Sequence, residues 1–180
     1  LQQVGFNDRI AFIEEALGPD AIDQFPALRS QVDIKIAGGE IVTTVREMAD
    51  RLLDGYYDIV QPDATVIGGV QSVVDIFATA HEVTSEVYVH CWGGAVGMMA
   101  NYHAALGGGG TIAELPLPSY LLREVMVDWQ IRDGHLYLPD TPGLGVHLTP
   151  EIEREFAFRE DAVYACLVPQ SRKLPDSVWR

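Results

Sequence analysis

Basic residues, cysteines and long apolar runs are all scarce in this chain, and each shortage removes a class of function. Twelve Lys+Arg stand against 26 Asp+Glu, a formal charge of −14 over 180 residues. A surface of that sign repels phosphate backbones, so no nucleic-acid partner is expected. No apolar run approaches the roughly 20 residues that cross a bilayer, and no basic segment leads into an apolar stretch at the start. A membrane partner is therefore not expected either. The two cysteines, Cys91 and Cys166, make neither a disulfide framework nor a zinc cluster, which suits a reducing, cytoplasmic setting. Gly38-Gly39, Gly68-Gly69 and Gly107 to Gly110 match neither G-x-G-x-x-G nor a P-loop, and no Lys follows them, so phosphate binding has little support.

What is present is a recurring pattern. Apolar residues make up 48% and charged residues 21%, as in a globular domain. Short apolar runs alternate with helical stretches. Ile10 to Ile13 reads as a strand ending in Glu14-Glu15, and Pro19 opens a helical stretch to about Arg29. Ile34 to Ala37 is a second strand, closed by Gly38-Gly39-Glu40, and Val45, Met48, Ala49, Leu52 and Leu53 have amphipathic helical spacing up to Gly55. Tyr57 to Val60 is a strand closed by Gln61-Pro62-Asp63, with a helix from Gly68-Gly69 to about Val83. Val87 to Val89 is closed by His90, followed by a helix from Gly94 to Leu106 and a loop to Gly110. Thr111 to Ala113 forms a fifth strand, closed by Glu114. Each step is short enough for one βα unit of about 30 residues, and the alternation predicts a parallel α/β sheet.

Each strand therefore ends in a polar residue: Glu14, Glu40, Asp63, His90 and Glu114. In parallel α/β proteins that edge carries the chemistry. Glu14 and Glu40 offer hard oxygen ligands suited to Mg²⁺, with a third ligand expected on a strand before Glu14. Asp63 and His90 make a carboxylate–imidazole dyad. The acid fixes the tautomer and raises the basicity of the ring, which can then take a proton from carbon. Glu114, with a pKa raised by neighbouring acids, would donate to a substrate carboxylate. Cys91 adjoins His90, but alternating strand residues diverge, so no Cys–His nucleophile pair is expected. His81 and His103 read as structural helix residues and His135 and His147 as surface ones, while Trp92 suits packing or a pocket wall.

Beyond Glu114 the period breaks at Pro116 and Pro118. Trp129 to Ile131 and His135 to Leu138 flank Asp133-Gly134 as a hairpin. Thr149-Pro150-Glu151 reads as the start of a short helix.

Taken together, Phe12-Ile13-Glu14-Glu15, Ala37-Gly38-Gly39-Glu40, Asp58-Ile59-Val60-Gln61-Pro62-Asp63 with Gly68-Gly69, Val89-His90, Ile112-Ala113-Glu114 and Pro139 to Gly145 resemble the enolase superfamily, in its mandelate racemase subgroup. The resemblance implies a (β/α)7β TIM-like barrel with a separate capping domain. Residues 1–125 would supply barrel strands 4 to 8, residues 126–160 a hairpin and short helix, and 161–180 an irregular tail. An eight-stranded barrel takes about 250 residues, so the chain is expected to be the C-terminal part of a larger enzyme, with the early strands and cap upstream of Leu1.

By the same resemblance, Glu14 and Glu40 are the second and third of three Mg²⁺ ligands. Asp63 and His90 are the acid/base dyad, and Glu114 the electrophilic acid. The expected activity is abstraction of the proton α to a carboxylate through an enediolate, with loss of water from a sugar acid (a hydro-lyase), by a homo-oligomer when full-length. Racemisation or lactone cycloisomerisation are the alternatives within the superfamily, and a catalytically incomplete fragment the alternative outside it. Ala16 and Val89 replace prolines common in the family, which touches loop shape and no functional group. Lys35 and Lys173 are the lysines, and neither lies near Asp63 in sequence, which counts against the muconate-lactonizing subgroup.

Overall fold

The computed structural model describes residues 9–116 and 126–157. The chain divides into two compact units, Leu1–His147 and Leu148–Arg180. In the first, β1 (Phe12–Glu14) leads through a 3-10 helix (Pro19–Gln24) into α1 (Phe25–Arg29), followed by β2 (Lys35–Gly38) and α2 (Val45–Leu53). Next come β3 (Ile59–Val60), α3 (Val70–Glu82), β4 (Glu86–Val87) and α4 (Ala95–Gly108). The four strands are parallel and lie in the order β1-β2-β3-β4. That order runs without reversal, unlike doubly wound sheets, which reverse at a switch point. The helices follow suit, α2 packing on α3 and α3 on α4. This is the partial parallel sheet of an α/β fold.

Local rules explain the elements. α2 begins at Thr44, whose hydroxyl accepts the Glu47 N–H at 3.2 Å, the first half of a T-x-x-E capping arrangement. Its apolar stripe buries Met48 and Leu52. α4 ends at Gly109, in the left-handed conformation, so the helix runs two residues past the expected stop at Leu106. Phe25, Ile36, Met48, Tyr57, Val60, Val73 and Ile76 form the centre of the core, each such side chain contributing about 1.5–3 kcal/mol by burial. Phe25 and Tyr57 meet edge to face at 5.1 Å. The buried phenol keeps a polar partner, since Arg51 Nη1 donates to its oxygen at 3.0 Å.

One expected strand is absent. Residues Thr111 to Glu114 carry no ladder bonds among the described residues. They are held by side chains instead: the Tyr102 hydroxyl donates to the Glu114 carbonyl at 2.8 Å, and the Glu114 carboxylate accepts the Cys91 N–H at 2.8 Å. A strand is defined by backbone pairing, and here side-chain anchors replace it.

The hairpin forms as the Asp-Gly signal predicts, β5 (Gln130–Arg132) pairing antiparallel with β6 (His135–Tyr137), with Asp133 and Gly134 both at positive φ. In the second unit, α5 (Pro150–Glu155) starts at Thr149, whose hydroxyl accepts the Ile152 N–H at 3.3 Å. The tail expected at 161–180 lies outside the described residues. No described helix is long and apolar enough to cross a membrane.

Candidate active site

Parallel register levels the strand ends. Glu14 lies opposite Ala37, Gly38 opposite Val60, and Val60 opposite Val87. The pairing continues past the named strands as backbone bonds: Tyr88 N–H to Val60 carbonyl at 3.1 Å and His90 N–H to Pro62 carbonyl at 3.1 Å. Those two bonds set His90 beside Asp63. The turn carrying Glu40 is fixed by Gly39, at φ +109°, a conformation that only glycine enters without strain. Its N–H donates to Glu15 Oε1 at 2.7 Å.

His90 occupies the middle of the group. Its Nδ1 is 2.9 Å from Asp63 Oδ2 and its Nε2 is 3.3 Å from Glu40 Oε2. The Asp63 side chain is 2% exposed and that of His90 15%. Asp63 Oδ1 accepts three further bonds, from the Thr65 N–H and hydroxyl, each at 2.7 Å, and from Asn101 Nδ2 at 2.9 Å. Burial works against ionised Asp63, but the donors from His90, Asn101 and Thr65 outweigh it and hold the carboxyl below its ordinary 3.8. For His90, burial pulls down, while the hydrogen bond to Asp63 and the charges of Glu40 and Glu114 push up and prevail.

The remaining acids surround this pair. Burial raises Glu40; His90 opposes that, and Glu15 and Glu14 add to it. Burial raises Glu114 too, against the Cys91 N–H and His90, with Glu14 and Glu40 contributing upward. Glu14, Glu40, Asp63, His90 and Glu114 are thus brought into one electrostatic neighbourhood. Crowded carboxylates of this kind fit a divalent cation. Glu14 and Glu40 supply only oxygen donors, the set that Mg²⁺ prefers over thiophilic metals. Among the described residues no three His, Cys, Asp or Glu side chains form a complete metal cage, so these two would be part of a coordination shell.

The other histidines stay apart. His135 and His147 are exposed, bonded to the Asp133 carbonyl and to Asp128, and His81 and His103 lie on α3 and α4. Cys91 is fully buried, and Trp92 is 47% exposed. A cleft of about 650 Å³ lies elsewhere, between the end of α4 and the hairpin, lined by apolar groups such as Leu106, Ile112, Ile131 and Leu138. It contains no acid and no base except His135. The sequence reading does not single out Asn101, Thr65 or Glu15. The available signal for Asn101 is the one amide side chain in a largely apolar helix.

The enolase C-terminal domain-like family model matches residues 4–152. Arabinonate dehydratase of Saccharolobus solfataricus is 28% identical over 149 residues, covering 82% of this chain and 40% of that protein. The crystal structure of the 3,6-anhydro-D-galactonate cycloisomerase from Zobellia galactanivorans superposes with a TM-score of 0.75 at 28% identity, over 82% of this chain and 42% of that one. The crystal structure of a mandelate racemase/muconate lactonizing enzyme from Sulfitobacter sp. gives 0.74 at 27% identity, over 84% and 38%. The chain therefore spans about two fifths of the length of these relatives. With the family model spanning most of its residues, the chain belongs to the enolase C-terminal domain-like family, in the mandelate racemase branch of the enolase superfamily.

Proposed function

We propose that the complete protein abstracts the proton α to the carboxylate of a sugar acid and eliminates the β-hydroxyl as water. The observation that carries this reading is the His90 ring held between Asp63 and Glu40. A proton on Nδ1, donated to Asp63, leaves the Nε2 lone pair to act as base. Nε2 takes the α-proton, and the C–H electron pair passes into the carboxylate to give an enediolate. Glu114, whose carboxyl burial pushes above its ordinary pKa, is the group placed to donate a hydrogen bond to the developing charge. The enediolate collapses with departure of the β-hydroxyl, which receives a proton from His90. The product is an enol that tautomerises to a 2-keto acid. Glu14 and Glu40 would hold a Mg²⁺ ion, which would supply positive charge to stabilise the enediolate.

The dehydratase named among the relatives supports loss of water. The cycloisomerase structure supports a second outcome, in which the same α-proton transfer serves ring opening. The reading is tested by His90→Asn in the complete enzyme, which should abolish exchange of the substrate α-proton with D₂O. Undiminished exchange overturns it. A carbonyl trap for 2-keto acid separates dehydration from isomerisation.

A further inference from the structure

We infer that Gly97 and Asn101, one turn apart on α4, form a face that locks the Asp63 carboxylate in the orientation His90 requires, with Asn101 as the principal positioning residue. The inference rests on the dyad reading above and extends it to residues that touch no substrate.

The inside of α4 is apolar, with Ala95, Met98, Met99, Ala104 and Ala105 buried. Asn101 sits among them at 0% exposure. A buried amide is costly unless its groups are paired, and a leucine of similar size would satisfy packing alone. Both ends of the Asn101 amide are spent on one loop. Its Oδ1 accepts the Ala64 N–H at 2.6 Å, and its Nδ2 donates to Asp63 Oδ1 at 2.9 Å.

The result is an asymmetric carboxylate. Oδ1 carries the donors from Asn101 and Thr65, and Oδ2 faces His90 Nδ1. Tilting the group out of its plane would stretch the three bonds at Oδ1 together, so the other oxygen stays directed at the imidazole. Gly97 allows the loop to come this close. A Cβ there would stand 2.8 Å from Thr65 Cγ2. Turning the threonine side chain to relieve that contact would take its hydroxyl away from Asp63.

The test uses the complete enzyme. Asn101→Asp keeps the size and the acceptor for Ala64 but loses the donor to Asp63. We expect kcat for α-proton exchange to fall about 10–100-fold, as for other residues that orient a functional group, with KM unchanged. The ¹⁵N signals of the His90 ring should shift away from the Nδ1-protonated form. Gly97→Ala and Thr65→Val, which leave the α4 core intact, should give smaller losses of the same kind, and they decide the matter where the Asn101 variant does not fold. Wild-type kcat in Asn101→Asp overturns the inference, as does a loss confined to KM. Wild-type kcat in both Gly97→Ala and Thr65→Val overturns it as well. His90→Asn run alongside separates the two levels: loss of exchange there with full activity in the α4 and loop variants rejects the positioning role alone. Full exchange in His90→Asn rejects the dyad and the positioning role together.

Discussion

His90 Nε2 stands 3.3 Å from Glu40 Oε2, the two residues following β4 and β2 on either side of β3. A ring nitrogen and a carboxylate oxygen at this distance attract when a proton lies on either one, which couples the proposed base to a proposed metal ligand. The same Glu40 has Glu14 and Glu15 near enough to raise its pKa after burial has done so. Under the proposed function Glu40 would be neutralised in one of two ways, by a proton shared with His90 or by a cation shared with Glu14.

The cation arm is directly measurable. Mg²⁺ should raise the melting temperature of the complete protein, and EDTA should reverse the rise. Ligand at about 100 times its Kd stabilises by about 2.7 kcal/mol. In Glu40→Gln the rise should vanish, read by thermal unfolding with and without Mg²⁺. An equal rise in the variant would show that the ion binds elsewhere.

Asp63 contributes to the acid sensitivity of the fold. Its carboxyl is held below 3.8 in the folded state, so its contribution is fully present above the unfolded value. It is lost as pH falls through the depressed folded value. The stability gap between the wild type and Asp63→Asn should therefore shrink progressively below about pH 5. Urea titrations at a series of pH values test this. A gap that stays constant or widens toward low pH contradicts the assignment.

What could be read from the residues alone follows the physics of a parallel sheet. Glu14, Glu40, Asp63 and His90 follow short apolar runs, and parallel register brings such ends to one edge whatever their sequence separation. The Asp-Gly hairpin and the Thr149 cap are local signals and appear where expected. Thr111 to Ala113 shows where that logic stops. Its apolar character fits a strand, but pairing depends on a neighbour's free backbone edge, which composition does not report. The role of Asn101 is not legible for a related reason. Its partners Ala64 and Asp63 lie 37 and 38 residues away, and an amide in a helix reads as a tolerated surface residue until the fold buries it.

The turn before Glu40 depends on Gly39. Alanine there would be forced to φ +109°, and its Cβ would meet Met48 Cε at 2.9 Å. The methionine tip can swing aside, so the backbone dominates the cost, about 1–3 kcal/mol. Gly39→Ala should lower the urea midpoint accordingly and reduce kcat, because Glu40 is the next residue. An unchanged midpoint would mean that the turn adopts another conformation.

Asp58 anchors the strand that leads into this turn. Its Oδ2 accepts the Ile36 N–H at 2.9 Å and its Oδ1 the Arg29 Nε at 2.6 Å. The two bonds differ in worth. Arg29 is 39% exposed at its side chain, and a half-solvated ion pair contributes at most about 1 kcal/mol. Ile36 is 1% exposed, and a buried N–H left without its acceptor costs about 1–3 kcal/mol. Asp58→Ala should therefore destabilise more than Arg29→Met, in equilibrium urea unfolding, although both remove the same ion pair and Arg29→Met also removes the bond from Nη1 to the Gly55 carbonyl at 3.1 Å. Equal losses would show that the Ile36 N–H does not depend on Asp58. A larger loss for Asp58→Ala identifies the aspartate as the buried acceptor that keeps β2, and with it Glu40, in register with β3.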